Sequence, residues 1–268
     1  MRSIDNLARL KGRTALITGG AGHIGLAVGE TLLELGAAVT VLDRSLRDCD
    51  RRVEQLLAGP GGDVRSEACD LMDEEATRAA VRQSVEAMGG LDILVHCAGY
   101  VGTTEVAGWA VPFDEQTVDA WDQAMRVNVT SAFTMVQEAR QALARSGHGS
   151  VVFVSSIYGL VGPDLNLYEE TEVAPSPAGF GASKAGLVQL ARHLATILAP
   201  AVRINALTPG GVWRDQPEVF VSRYSGRTPL ARMASEEDLK GAIAYLTSDL
   251  SQYVTGHNLV VDGGWTAL

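Results

Sequence analysis

The run Thr18-Gly19-Gly20-Ala21-Gly22-His23-Ile24-Gly25 carries the clearest chemistry in this sequence. It follows a short β-branched stretch and leads into an amphipathic one, the context in which glycines let backbone N–H groups approach a pyrophosphate. Gly19, Gly22 and Gly25 permit a tight turn, close approach and tight helix-on-sheet packing. His23 and Ile24 open the helix whose N-terminal dipole favours an anion. Eighteen residues beyond Gly25, the next strand ends at Asp43 and Arg44. A carboxylate there accepts hydrogen bonds from an adenosine ribose and repels a 2′-phosphate, so Asp43 points to NAD ahead of NADP. Arg44 has two readings, a phosphate ligand or a solvated surface arginine.

Composition bounds the remaining possibilities. The chain has 268 residues, 46% apolar and 20% charged, which suits a single α/β domain with a sizeable core over residues 1–268. A net charge of −10 without a basic stripe argues against nucleic acid as a partner. No segment approaches eighteen uninterrupted apolar residues and none reads as a secretion signal, so the expected location is the cytoplasm, away from membranes. Cys49, Cys69 and Cys97 lack a CxxC spacing and the five histidines form no HExxH pattern, so neither a disulfide framework nor a metal site is expected.

The elements that must position these residues alternate along the chain. Short apolar runs predict strands at 14–18, 38–42, 65–69, 93–97, 150–154, 203–207 and 258–261. Amphipathic stretches predict helices at 24–35, 74–88, 118–144, 180–198 and 236–246. This is the pattern of a Rossmann-type, doubly wound parallel sheet of about seven strands flanked by helices. Two long irregular segments, 159–179 and 209–232, read as binding loops or lids.

From about Leu10 to the C-terminus the chain resembles the classical short-chain dehydrogenase/reductase family. Thr18 to Gly25 resembles the family's TGxxxGxG loop, with His23 at its middle glycine and a spacing closer to TGxxGxxG. Asp70 and Leu71 resemble its adenine-contacting pair. His96-Cys97-Ala98-Gly99 occupies its NNAG segment with both asparagines replaced, leaving the Ala98-Gly99 backbone to pass the cofactor. Pro209, Gly210, Gly211 and Val212 resemble the loop that closes over nicotinamide. The resemblance implies that Asn128, Ser156 and Lys184 are members of the catalytic tetrad and that Lys184 also reaches the nicotinamide ribose. It further implies pairing of the 118–144 and 180–198 helices between subunits, as a homotetramer or homodimer.

The fourth tetrad position is occupied by Phe180, where the family has tyrosine. A phenol with an ordinary pKa near ~10 becomes a usable acid/base when an ammonium lies beside it, and positions 180 and 184 share a helix face. Phenylalanine keeps the ring and loses the proton. Three explanations stand: an engineered change that traps a substrate complex, an enzyme using another proton donor, or a noncatalytic cofactor-binding protein. Retention of Asn128, Ser156 and Lys184 around one isosteric change fits the first best. Tyr158, Tyr168, Glu169 and Glu170 are the candidate alternative donors.

The loops speak to substrate. Their residues, including Tyr158, Trp213 and Arg214, resemble a subgroup associated with bacterial surface-sugar and nonulosonic-acid gene clusters. Ser156, Tyr158, Trp213 and Arg214 are therefore the expected substrate contacts. Many hydrogen-bonding groups beside one flat apolar face suit a small polar, sugar-like or nucleoside-like ring compound. The expected reaction is NAD(H)-dependent interconversion of a secondary alcohol and a ketone.

Overall fold

The computed structural model describes residues 1–171 and 173–268. Among these residues, seven parallel strands form one sheet: β1 Thr14–Thr18, β2 Ala38–Asp43, β3 Val64–Ala68, β4 Ile93–His96, β5 Gly149–Val154, β6 Val202–Pro209 and β7 Asn258–Val261. Their spatial order is β3-β2-β1-β4-β5-β6-β7. The order reverses between β1 and β4, which pair in register with Thr18 beside His96. In open α/β sheets a ligand crevice lies at the carboxyl ends of the strands at such a switch point. The glycine-rich run, Asp43, Cys97 to Gly99, Ser155–Ser156 and Gly210–Val212 all leave the sheet at this edge.

Alternation along each strand sends neighbouring side chains to opposite faces, and both faces are covered. Leu16, Leu94, Val151, Phe153 and Ile204 pack on one side against α4 Glu74–Met88, α6 Ser131–Ser146 and α7 Ala178–Leu198. Ile17, Val39, Val41, Ile93, Val95 and Leu207 pack on the other against α2 His23–Glu34, α3 Leu46–Ala58 and α9 Lys240–Thr247. A short α1, Ile4–Ala8, precedes the sheet, capped by the Ser3 side chain. Burial of each large apolar side chain contributes about 1.5–3 kcal/mol, so the doubly covered sheet is a rigid platform for its edge.

Three departures from the expected elements have local causes. The helix expected at 118–144 is two helices, α5 Val118–Met125 and α6, joined by a π turn at Arg126–Thr130 that carries Asn128. The Ser131 N–H bonds back five residues to the Arg126 carbonyl, inserting one extra residue into the helical path. The segment 209–232 is not irregular throughout; it contains α8 Glu218–Arg227. Helix α3 was not expected at all, because it buries only Cys49 and Leu56 and is otherwise charged. It is held by its Ser45 cap and by Leu56 packing against Gly29 of α2, where an added Cβ would lie 3.1 Å from the Leu56 side chain.

Candidate active site

One cleft of about 420 Å³ runs along the switch-point edge. It is lined by Gly19, Gly22, His23, Ile24 and Gly25 from the first turn, by Asp43 and Arg44, by Asp70 and Leu71, and by Ala98 and Gly99. The turn is built only for glycine at two points: Gly19 has φ +62° and a Cβ there would lie 2.6 Å from Ala98 N, while a Cβ on Gly25 would meet Gly19 O at 2.4 Å. Helix α2 begins at this loop with no side-chain cap and no acidic residue in its first turn, leaving N–H groups and dipole free for an anion. The Asp43 carboxylate is fixed by accepting from Ala21 N at 3.2 Å and Arg44 N at 2.7 Å. Glycine cradle, uncapped helix end and oriented carboxylate fit a dinucleotide.

Of the residues expected to be catalytic, Lys184 and Phe180 lie side by side, with Lys184 and Asn128 behind Gly99 of this cleft, and Ser156 stands on the turn that follows β5. Lys184 is buried, and its Nζ donates to the Val154 carbonyl at 2.9 Å and lies 5.7 Å from the centre of the Phe180 ring. Burial pushes its pKa down to about 8. A Cβ at Gly99 would come within 3.2 Å of that Nζ, so Lys184 reaches the cleft wall. Ser156 caps the turn Ile157–Gly159 by accepting from Tyr158 N at 3.2 Å, which leaves its hydroxyl hydrogen to donate. Ser155 points inward instead, donating to the Lys184 carbonyl. Phe180 stands in the first turn of α7, packed against the Trp109, Ala120 and Ala124 cluster.

Asn128 sits buried on the π turn. Its Oδ1 accepts from Tyr100 N at 2.7 Å and its Nδ2 donates to Ser183 Oγ at 2.8 Å, so each end of the amide has a partner inside the protein. Ser183 in turn donates to the Phe180 carbonyl. The Asn128 carbonyl meets His96 Nε2 at 3.2 Å, and His96 Nδ1 meets Thr18 Oγ1 at 2.9 Å. A carbonyl only accepts, so Nε2 carries the hydrogen and Nδ1 accepts from Thr18. Sequence reasoning recorded His96 only as a lost asparagine; Ser183 gave no signal beyond its place beside Lys184.

The four expected substrate contacts do not gather in one place. Tyr158 shares a 2.6 Å hydrogen bond with the Tyr168 hydroxyl and lines a separate groove of about 700 Å³. Burial, with Tyr168 beside it, drives its pKa far above the ordinary phenol range, which disqualifies it as a base at neutral pH. Trp213 is 51% exposed. Arg214 lines the dinucleotide cleft instead, because Trp213 N bonds to Ala234 O and Ala234 N to Gly211 O, turning the segment back towards α2. Pro209, Gly211 and Val212 lie outside the cleft lining: Pro209 ends β6, Val212 is buried, and Gly211 N donates to Tyr224 Oη at 2.6 Å. Tyr224 stacks on Trp265 at 4.3 Å and packs against Phe220, which packs on Tyr168. Arg227 pairs with Asp164 and Arg223 with Glu170, so the two long segments form one lid.

The sequence matches, over residues 19–266, the family model described as enoyl-(acyl carrier protein) reductase. A sorbose reductase of Schizosaccharomyces pombe is 30% identical, with 98% of this chain and 99% of the relative covered. An L-rhamnose 1-dehydrogenase (NAD(P)(+)) of a Sphingomonas species is 32% identical over 95% of this chain and 96% of the relative. A gluconate 5-dehydrogenase of Burkholderia cenocepacia, solved with NADP and tartrate, superposes with a TM-score of 0.84 at 26% identity, over 99% of this chain and 100% of that one. The chain belongs to the short-chain dehydrogenase/reductase family. As a dehydrogenase/reductase of this type it has a nicotinamide-cofactor fold. Among the described residues, no helix is long and apolar enough to cross a membrane.

The buried imidazole of His96 gives the site an acid limit. Burial pushes its pKa down to about 3, with the Lys184 charge acting in the same sense. The unfolded chain, with an ordinary value near ~6.5, therefore binds the proton first. The resulting stability is complete above about pH 6.5 and is lost as pH falls towards 3, by on the order of 5 kcal/mol. His96→Asn keeps a donor and an acceptor without a titrating group. Thermal unfolding followed from pH 7 to pH 4 is expected to show a flatter profile for His96→Asn than for the parent; parallel profiles would refute the assignment.

Proposed function

We propose that the chain is an NAD(H)-dependent oxidoreductase that interconverts a secondary alcohol and a ketone on a small polar, sugar-like or nucleoside-like compound. Phe180 stands in it as a tyrosine-to-phenylalanine replacement within an otherwise assembled site. The observation that supports it is Lys184, buried at the cleft wall beside Gly99 with its Nζ 5.7 Å from the centre of the Phe180 ring. A nicotinamide bound there supplies the two-electron donor or acceptor. Glycines 19, 22 and 25 with the α2 N-terminus hold the diphosphate, and Asp43 holds the adenosine ribose. The Ser156 hydroxyl donates to the reacting oxygen. Lys184, below its ordinary pKa yet still largely protonated at pH 7, places an ammonium where it would acidify a phenol at position 180.

Sugar and polyol names among the relatives support the substrate class, as do the polar groups of the lid, Glu169, Glu170 and Arg223. The preference for NAD rests on Asp43. The arginines behind it are committed elsewhere, Arg52 to the Ala21 carbonyl and Gln55, and Arg51 to Asp48. A second reading, a cofactor-binding protein without turnover, is favoured by one observation: Tyr158, a candidate alternative donor, shares its hydroxyl with Tyr168 and lines a groove separate from the dinucleotide cleft. Assembly follows from exposed Val118 and Trp121 on α5, Phe133 on α6 and Ile197 on α7, which pairing between subunits in a homotetramer or homodimer would cover.

Three measurements test these readings. Phe180→Tyr is expected to raise NADH-linked turnover of keto or hydroxy sugars by about 10²–10⁴ with little change in cofactor affinity, and Lys184→Ala added to it removes the gain. Binding of NADH with no turnover in any variant would favour the noncatalytic reading. Fluorescence titration is expected to give tighter binding of NADH than of NADPH; the reverse order would make Arg44 a phosphate ligand. Light scattering at micromolar concentration is expected to show an oligomer, and a monomer would overturn the assembly.

A further inference from the structure

Glu236 joins three elements at the rim of the dinucleotide cleft. Its Oε1 lies 3.4 Å from His23 Nδ1, at the start of α2, and 3.7 Å from Arg214 Nε, on the segment that follows β6. Glu236 itself opens the 3₁₀ turn Glu236–Leu239. His23 and Arg214 both line the cleft with Gly19 and Gly22. Two residues of the cleft lining, from α2 and from the segment after β6, are thus bridged by one carboxylate.

The bridge is loose on the arginine side. A charge-assisted N–H···O bond is normally about 2.7–2.9 Å. The same turn shows what a committed arginine looks like: Arg232 grips Asp238 with both prongs at 2.6 Å. Arg214 makes no such fork with Glu236, yet burial lowers its pKa, with Glu236 offsetting the cost. A partly desolvated guanidinium with an incompletely satisfied fork, facing the same space as the uncapped first turn of α2, is suited to a planar-forked recognition of phosphate oxygens.

We propose that Arg214 is a ligand for the cofactor's diphosphate, and that Glu236 stations it at the cleft until the diphosphate takes its place. This rests on the reading of the cleft as a nicotinamide-cofactor site. Binding exchanges one partner of Arg214 for another. The carboxylate keeps the arginine oriented beforehand and competes with the incoming anion. Arg214 is thereby moved from the substrate to the cofactor, and the segment that carries it is drawn to α2 when the cofactor binds.

The experiment is a binding titration without turnover, using ADP-ribose, which has the adenosine and the diphosphate but no nicotinamide, and adenosine as a control. Arg214→Gln is expected to weaken ADP-ribose by about 10–100-fold, the range for a hydrogen bond to a charged group, and to leave adenosine unchanged. Glu236→Gln is expected to tighten ADP-ribose several-fold, and the gain should shrink when Arg214→Gln is added. Equal affinities for ADP-ribose in the parent and Arg214→Gln would overturn the proposal, as would an equal loss of ADP-ribose and adenosine binding. Failure of the parent chain to bind either ADP-ribose or NADH would overturn the cofactor reading itself, which the other outcomes leave standing.

Discussion

The buried contact from Thr18 through His96 to the Asn128 carbonyl is the one on which the reactive edge depends. It ties the first strand to the fourth where the strand order reverses, and ties both to the π turn. From there the Asn128 side chain reaches Tyr100 on one side and Ser183 on the other, and Ser183 reaches the carbonyl of Phe180. A chain of neutral hydrogen bonds thus runs from the nucleotide loop to the first turn of the helix that carries Phe180 and Lys184. Thr18, His96, Asn128 and Ser183 are buried and paired, the condition under which such a network fixes one geometry instead of costing stability. The extra residue of the π turn allows it, because it puts the Asn128 carbonyl within reach of the imidazole while the amide faces the opposite way.

Around this network the protein places one charge at a cost. Lys184 lies inside the protein with the Val154 carbonyl as its hydrogen-bond acceptor, and its lowered pKa measures how poorly one carbonyl replaces water. Such a group is strained towards any neighbour that stabilises its charge. The Phe180 ring, 5.7 Å away, offers only the weak attraction of an aromatic face. The side chain at position 180 has no hydroxyl to share with this ammonium.

Much of this was legible in the sequence because it is written in local patterns. Short β-branched runs located all seven strands to within two residues, and the glycine spacing located the cleft. What escaped detection depended on distant partners. Helix α3 has two buried positions, too few to make a stripe, and α8 interrupts a segment that reads as polar and irregular. The π turn has no signature in a stretch whose helical period continues on both sides. Arg214 and its neighbour Trp213 share one expectation in sequence, whereas the pairing of Val212 with Ala234 decides where Arg214 goes. Tyr158 is expected as a substrate contact because its partner Tyr168 lies ten residues on and meets it only in the folded chain.

The aromatic stack gives the lid a mechanical property. Tyr158 is bonded to Tyr168, Tyr168 rests on Phe220, Phe220 on Tyr224, and Tyr224 both grips the backbone of Gly211 and lies on Trp265, near the C-terminal end of the described chain. These side chains transmit displacement as a train of gears does, with little slack at any contact. A molecule entering beside Tyr158 therefore cannot move that ring without pressing on the segment that carries Arg214 and on the last residues of the chain. The groove beside Tyr158, the segment that carries Arg214 and the end of the chain at Trp265 are thus joined through one continuous line of packed rings.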